Sequence, residues 1–337
     1  PCRKVIQDAF EQNITHAPGM EHVREMVTGP IIPTPGAVME CTKLLYEYLG
    51  DLIVLDVGGA TTDLHSVTVE SDQVARLMIS PEPKAKRTVE GDLGVYVNRW
   101  KVVESIGEEK LREQCREQGF SMEHALETYR AIPKTEEEVK LVELLTREAV
   151  VKAAERHAGR LRYIYGPSGR STVAEGKDLT QVKYIVGTGG ALTRLPHREE
   201  IMREITRCNE SGMLLLPGEH AQILVDHDYI MASLGVLSKR YPQAAARLLE
   251  QSLGITFPER KAEEPVPVCN KELSRLETQR QQREEELQRH IEECEAMGYD
   301  MSAYRENKPK AGDCSHECSR CTRLHCPNRT TQEGASS

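Results

Sequence analysis

Between Ile53 and Ser66 the chain reads Ile-Val-Leu-Asp-Val-Gly-Gly-Ala-Thr-Thr-Asp-Leu-His-Ser, an apolar run that passes straight into Asp56, a glycine pair, two threonines and a second aspartate, Asp63. Gly58 and Gly59 carry no Cβ, so the backbone there turns tightly and aims N–H groups at an anion. Thr61 and Thr62 add hydroxyl donors. Asp56 and Asp63 repel a bare phosphate; carboxylates so placed suit a divalent cation, held chiefly through its water shell, or an oriented water molecule. The stretch therefore predicts a metal–nucleotide site, with Asp56 and Asp63 as the catalytic acids and Gly58, Gly59, Thr61 and Thr62 around the phosphates. The competing reading is a glycine hairpin between strands Ile53–Val57 and Asp63–Val69. Paired acids around paired glycines and threonines favour the site.

A second glycine turn lies downstream, where the apolar run Tyr184-Ile185-Val186 enters Gly187-Thr188-Gly189-Gly190. Neither turn has the Gly-x-Gly-x-x-Gly spacing of a dinucleotide fold, and neither carries the Gly-Lys-Ser/Thr of a P-loop. Taken in order, a strand–turn–strand phosphate loop, a helical insertion, and then a strand entering Gly-Thr-Gly-Gly is the pattern of the second lobe of actin-like or sugar-kinase-like ATPases.

The elements that would position these turns are legible in outline. Turn signals at Thr28-Gly29-Pro30 and Pro33-Thr34-Pro35-Gly36 precede a helix over Ala37–Leu49, with Val38, Cys41, Leu44, Leu45 and Leu49 at helical spacing and Gly50 as its stop. After a loop bounded by Pro81 and Pro83, the pattern from Thr88 to Leu161 is mostly helical, with Val95, Val97 and Trp100 grouped on one stretch. A helix is expected over Arg198–Cys208, a short buried strand over Ile223–Asp226 and a further helix over Tyr229–Tyr241. Apolar strands alternating with helices place the chain among α/β folds.

At 337 residues and 39% hydrophobic the chain can bury a large core. No apolar run approaches the roughly 20 residues that span a bilayer, and no signal region follows Pro1, so no membrane association and a cytoplasmic location are expected. A net charge of −9 speaks against general nucleic-acid binding. The missing initiator Met and the helix-like opening Val5-Ile6-Gln7-Asp8-Ala9-Phe10 read as an N-terminal truncation.

Several of these segments together resemble one family. Asp56–Ser66, Thr88-Val89-Glu90-Gly91-Asp92-Leu93-Gly94, Gly187–Gly190 and Pro30-Ile31-Ile32-Pro33-Thr34-Pro35 are similar to the GlmL/MutL family of glutamate-mutase-associated proteins, which is unrelated to the mismatch-repair ATPase of similar name. The resemblance covers about Asn13 to Gly254. It implies an actin-like (ribonuclease H-like) ATPase lobe and an accessory, reactivating role for an adenosylcobalamin-dependent mutase subunit, exchanging damaged cobalamin with the use of ATP and Mg2+. It further implies Asp56 near the metal or its waters, Gly58 and Gly59 donating to the terminal phosphates, and Gly187, Thr188, Gly189 and Gly190 beside the adenosine. Family members typically begin with another strand bearing an Asp-x-Gly-Ser/Thr loop; this chain shows none, so half a nucleotide cleft is expected. His65, Glu90 and Asp92 are left between structural and metal-linked roles. A small-molecule kinase of the same superfamily and a non-hydrolysing partner-binding module are the alternatives.

The resulting layout is an end of a first lobe and connecting helix over 1–50, an α/β lobe over 51–258 with its helical insertion at about 88–161, a linker over 259–270, a charged helix over 271–298 and a cysteine-rich tail over 299–337. Of the ten cysteines, Cys314, Cys318, Cys321 and Cys326 crowd into that tail. Four thiolates so close suit tetrahedral zinc or a cubane iron–sulfur cluster, and the neighbouring His316 and His325 tilt the choice to zinc.

Overall fold

The computed structural model describes residues 31–258 apart from 167, 168 and 210, together with Met20, Val23, Met26, Val27, Arg289 and Glu292. By internal contacts the chain divides into a unit Pro1–Arg260 and a unit Lys261–Ser337, and the strands and helices below all belong to the first. The expected charged helix over 271–298 and the cysteine-rich tail lie outside the described residues, save Arg289 and Glu292, both helical.

A five-stranded mixed sheet organises the unit. Strands β1 (Leu52–Val57), β2 (Thr62–Val67) and β3 (Ala85–Glu90) form an antiparallel meander, and β6 (Tyr184–Thr188) and β7 (Gln222–Val225) extend it in parallel on the other side of β1, giving the order β3-β2-β1-β6-β7. Strand β1 is central and covered on both faces, which is why its residues are a nearly unbroken apolar run. Ile53, Leu55 and Val57 join Ile185 and Val225 in one buried cluster, while Leu52 and Val54 join Val186 and Leu224 in another. These are the two faces of the sheet, since side chains alternate along a strand.

Helices cover each face. On one lie α1 (Thr34–Leu49), α9 (Met231–Ser238) and α10 (Pro242–Leu253). On the other lies α6 (Glu136–His157), with the smaller helices α3 (Arg99–Ile106), α4 (Glu108–Glu117), α5 (Met122–Glu127), α7 (Gly189–Arg194) and α8 (Arg198–Arg203). A four-residue helix, α2 (Asp72–Ala75), lies between β2 and β3. Helix α6 opens on a capping box in which Thr135 accepts from the Glu138 amide and Glu138 accepts from Thr135. Its stripe of Leu141, Leu144, Leu145, Ala149, Val150, Ala153 and Ala154 is buried against the sheet. The product is a helix–sheet–helix sandwich of the α/β class.

Some expectations need correction. Thr34, Pro35 and Gly36 are the first turn of α1 and not a turn before it, because proline fits where a helix has no N–H to satisfy. The helical insertion starts later than Thr88: Ala85–Glu90 is β3, recruited by pairing with β2. Arg160–Gly166 and Gly169–Glu175 form a separate ribbon, β4 and β5, that periodicity did not suggest. Val95 is buried, but Val97 and Trp100 are more than half exposed, so the three do not share a buried face. The helix expected to Cys208 ends at Arg203 and passes into a 3-10 turn over Glu204–Thr206. Tyr229 lies outside α9 with φ at 56°.

Candidate functional site

The parallel pairing of β1 with β6 sets Asp56 opposite Thr188, so the two glycine turns emerge side by side from adjacent strand ends. Helix α7 starts at once with Gly189, whose φ is +83°. A Cβ on Gly189 would stand 2.6 Å from Asp56 Oδ1 and 2.5 Å from the Val57 carbonyl oxygen. Only glycine permits that approach. The Asp56 carboxylate therefore lies directly against the backbone of the second turn.

The first turn is tied down from behind. The Gly58 N–H donates to the Thr61 carbonyl at 2.9 Å, closing a four-residue hairpin between Val57 and Thr62. The Gly58 carbonyl accepts from Val95 N at 3.2 Å, and the Gly59 carbonyl accepts from Tyr96 N at 2.9 Å and Val97 N at 2.7 Å. Asn98 Nδ2 donates to the Ala60 carbonyl at 2.7 Å and to the Gly91 carbonyl at 2.8 Å. Gly94 presses so close that an added Cβ would be 2.2 Å from Ala60 O. With the carbonyls held, the N–H groups of Gly59, Ala60 and Thr61 meet no acceptor among the described residues. Successive free amides are the donors that an anion-binding concavity requires.

The carboxylates face each other across the hairpin. Asp63 is opposite Asp56 in the β1–β2 register, is only 4% exposed, and its Oδ1 has no hydrogen-bond partner. Burial, and then the Asp56 carboxylate, raise its pKa to about 7, against the opposing pull of Arg87 and the Thr61 hydroxyl. Burial, and then Asp226, raise Asp56 to about 6. The pair thus holds negative charge at neutral pH against its own electrostatics. A cation would relieve that conflict.

Asp226, just past β7, is fully buried and fully employed. It accepts from Thr188 Oγ1 at 2.9 Å, Ser252 Oγ at 2.5 Å, Ile230 N at 3.2 Å and Met231 N at 3.0 Å. It caps the start of α9 and anchors the end of β6 to α10. Sequence reasoning placed it only at a strand end; an acid after an apolar strand and before a helix is the available signal.

Asp56, Asp63, Gly58, Gly59, Thr61 and Gly189 are brought together, and Gly190 follows with open space around it. Three other candidates stand behind this group. Thr62 is buried with its hydroxyl donated to the Leu93 carbonyl at 2.8 Å. Gly187 lies beneath Met202, whose Sδ would be 2.6 Å from an added Cβ, and Thr188 is buried on Asp226. Glu90 and Asp92 both bind Arg156 of α6, at 2.7 Å each, which fastens the Gly91–Gly94 segment to the helix. His65 is wholly buried with neither ring nitrogen partnered, and burial, then Arg87, lower its pKa to about 3: it is a neutral core histidine. Cys314, Cys318, Cys321 and Cys326 lie outside the described residues.

Among the described residues, no three His, Cys, Asp or Glu side chains converge into a ready-made metal cage. Mg2+ does not require one: it keeps several waters and is held through one or two carboxylates. Asp56 and the unpartnered oxygen of Asp63 fit that demand. No helix among the described residues is long and apolar enough to cross a membrane.

A family model described as "MutL protein" matches residues 1–253. The protein named "Protein MutL" from Clostridium tetanomorphum is 34% identical over 265 residues, covering 75% of this chain and 57% of its own length. The chain therefore spans a little over half of that relative. The match takes in both glycine turns, the carboxylate pair and the clamp behind them, and by its extent and identity this chain belongs to the GlmL/MutL family.

Proposed function

We propose that the first unit is a nucleotide-binding lobe of the actin-like, ribonuclease H-like class, and that it serves in an ATP-dependent accessory factor that reactivates an adenosylcobalamin-dependent mutase of the glutamate-mutase kind. The observation that carries this reading is the contact of Asp56 with Gly189, which joins a phosphate-type hairpin to a glycine-opened helix at neighbouring strand ends. The sheet order β3-β2-β1-β6-β7, with an antiparallel meander on one side of β1 and parallel strands on the other, supports this reading, since a ribonuclease H-like lobe is expected to be built in that way. Membership of a family named for glutamate-mutase-associated proteins supports the choice of partner.

In this reading the Gly59, Ala60 and Thr61 amides receive the terminal phosphates, while Gly189 and Gly190 let the ligand approach the backbone. Asp56 and Asp63 would hold Mg2+ through its waters; the ion supplies neutralisation of phosphate charge. The protein's own contribution is to keep two acids poised in a position that favours a cation and an oriented water. Binding of ATP and ADP with Mg2+ by the whole chain, read by calorimetry, is the test. Asp56→Asn is expected to weaken binding by at least about ten-fold. Absence of nucleotide binding in the unaltered chain would remove the reading. Binding without hydrolysis, with the mutase present, would leave a non-hydrolysing partner module.

Cys314, Cys318, Cys321 and Cys326 are proposed as ligands of one zinc ion or one iron–sulfur cluster. Anaerobically purified chain distinguishes the two: zinc leaves the visible spectrum empty, and a cluster gives a broad visible band.

A further inference from the structure

Tyr229 is the one non-glycine among the described residues with a positive φ, 56°. A bulky side chain in the left-handed region is an outlier, and such strain persists only where the surroundings over-determine it. Here they do. His227 N donates to the Ser252 carbonyl at 3.1 Å, Asp228 N to Ser252 Oγ at 3.1 Å and Tyr229 N to the Asp226 carbonyl at 3.2 Å, while Ile230 N and Met231 N bind the Asp226 carboxylate. Five consecutive amides are fixed, and the tyrosine at their centre is 54% exposed. Packing does not demand an aromatic ring at this position. Glycine or asparagine would adopt the same backbone with less strain.

The location supplies a use for the ring. Strands β1, β6 and β7 are parallel neighbours, with Asp56 opposite Thr188 and Gly187 opposite Val225, so their carboxyl ends lie in a row. The free amides of Gly59–Thr61 stand at one end of that row, Gly189 in the middle and the Tyr229 loop at the other. At a strand spacing of about 4.8 Å, β1 and β7 are ~10 Å apart. A nucleotide with its phosphates on the hairpin amides crosses that distance to place its base beside β7. The Tyr229 phenol responds to this side of the sheet: partial burial, then the Asp56 and Asp226 carboxylates, raise its pKa.

We infer that Tyr229 is the nucleoside wall of the strand-end site, its ring stacking on the base of the nucleotide whose phosphates lie on the Gly59–Thr61 amides. This rests on the nucleotide reading and extends it to a residue outside both glycine turns. Stacking accepts any base, because each has a π-face, so Tyr229 contributes affinity more than choice of base.

The test compares two probes on the whole 337-residue chain: Mg2+–ATP, and Mg2+–tripolyphosphate, which has no base. Tyr229→Gly is expected to bind ATP at least about five-fold more weakly while binding tripolyphosphate as the unaltered chain does, and Tyr229→Phe, which restores the ring, recovers ATP affinity. Tyr229→Asn, which also tolerates the left-handed backbone, should repeat the Tyr229→Gly result and guards against a folding defect. Equal ATP affinity in the glycine, asparagine and unaltered chains overturns the inference and leaves the nucleotide reading standing. Parallel loss of both probes overturns it too, since the loop would then be acting on the phosphates. Failure of the unaltered chain to bind either probe removes the nucleotide reading along with it.

Discussion

Asp63 shows the central tension at the scale of a residue. Its carboxyl is buried with one oxygen unpartnered and faces Asp56 across two strands. Its pKa in the folded chain, about 7, lies above the value near 3.9 of an exposed aspartate. The folded state therefore takes up a proton more readily than the unfolded state. The contribution to stability is complete below about pH 4 and is lost as pH rises through 7. Asp63→Asn removes the charge and keeps the shape, so it should raise the unfolding free energy at pH 8 by about 2 kcal/mol and converge on the unaltered chain near pH 4. Thermal melts at the two pH values measure this, and an equal effect at both would show that the carboxylate is not electrostatically frustrated. Weaker Mg2+–nucleotide binding by the same variant is expected, so stability and ligand affinity should move in opposite directions. The seven-residue spacing of Asp56 and Asp63 around a glycine pair made their apposition legible in the sequence. The inward turn of Thr62 and the burial of Gly187 were not legible, because they depend on Leu93 and Met202 arriving from elsewhere in the chain.

Among the elements, the clamp from Gly91 to Asn98 decides whether the hairpin amides stay free. The carbonyls of Gly58, Gly59 and Ala60 all point into it, and Gly94 is packed against Ala60 at a distance no Cβ can share. Gly94→Ala should cost at least about 2 kcal/mol in urea unfolding and reduce nucleotide affinity as the turn shifts. Gly91 has open space where a Cβ would stand, so Gly91→Ala is expected to stay within about 0.5 kcal/mol of the unaltered chain. Similar losses in both variants would point to a general effect of filling this segment. Strands β1, β6 and β7 were readable as apolar runs, since buried parallel pairing demands them. Strand β3 was not. Ala-Lys-Arg-Thr-Val-Glu is a polar edge sequence that becomes a strand only through its partner β2.

At the scale of the molecule, the sandwich encloses two histidines whose state makes folding depend on acid. His65 lies in β2 with both nitrogens unpartnered, and His157, ending α6, is buried with its nitrogens on Ser66 Oγ and Thr88 Oγ1, both at 2.8 Å. Burial lowers both pKa values, helped by Arg87 at His65 and by Lys86, His65 and Lys177 at His157. Each histidine thus supports the folded state above its unfolded pKa, near 6.5, and withdraws that support as pH falls toward the folded value, about 3 for His65. Asp56 and Asp63, raised to about 6 and about 7, act in the opposite sense over about pH 4 to 7, so the two effects offset each other in that window and the acid limb set by the histidines stands alone below about pH 4. The two histidines then separate by their partners. His65→Leu removes an ionisable group without removing a hydrogen bond, so it should match or exceed the unaltered chain at pH 7 and flatten the acid limb by on the order of 2–3 kcal/mol at pH 4. His157→Leu strands the Ser66 and Thr88 hydroxyls and should lose about 1–3 kcal/mol even at pH 7. Thermal melts from pH 4 to 8 on the three proteins give the comparison, and an unchanged acid limb in His65→Leu would show that the protonation limiting the fold occurs elsewhere.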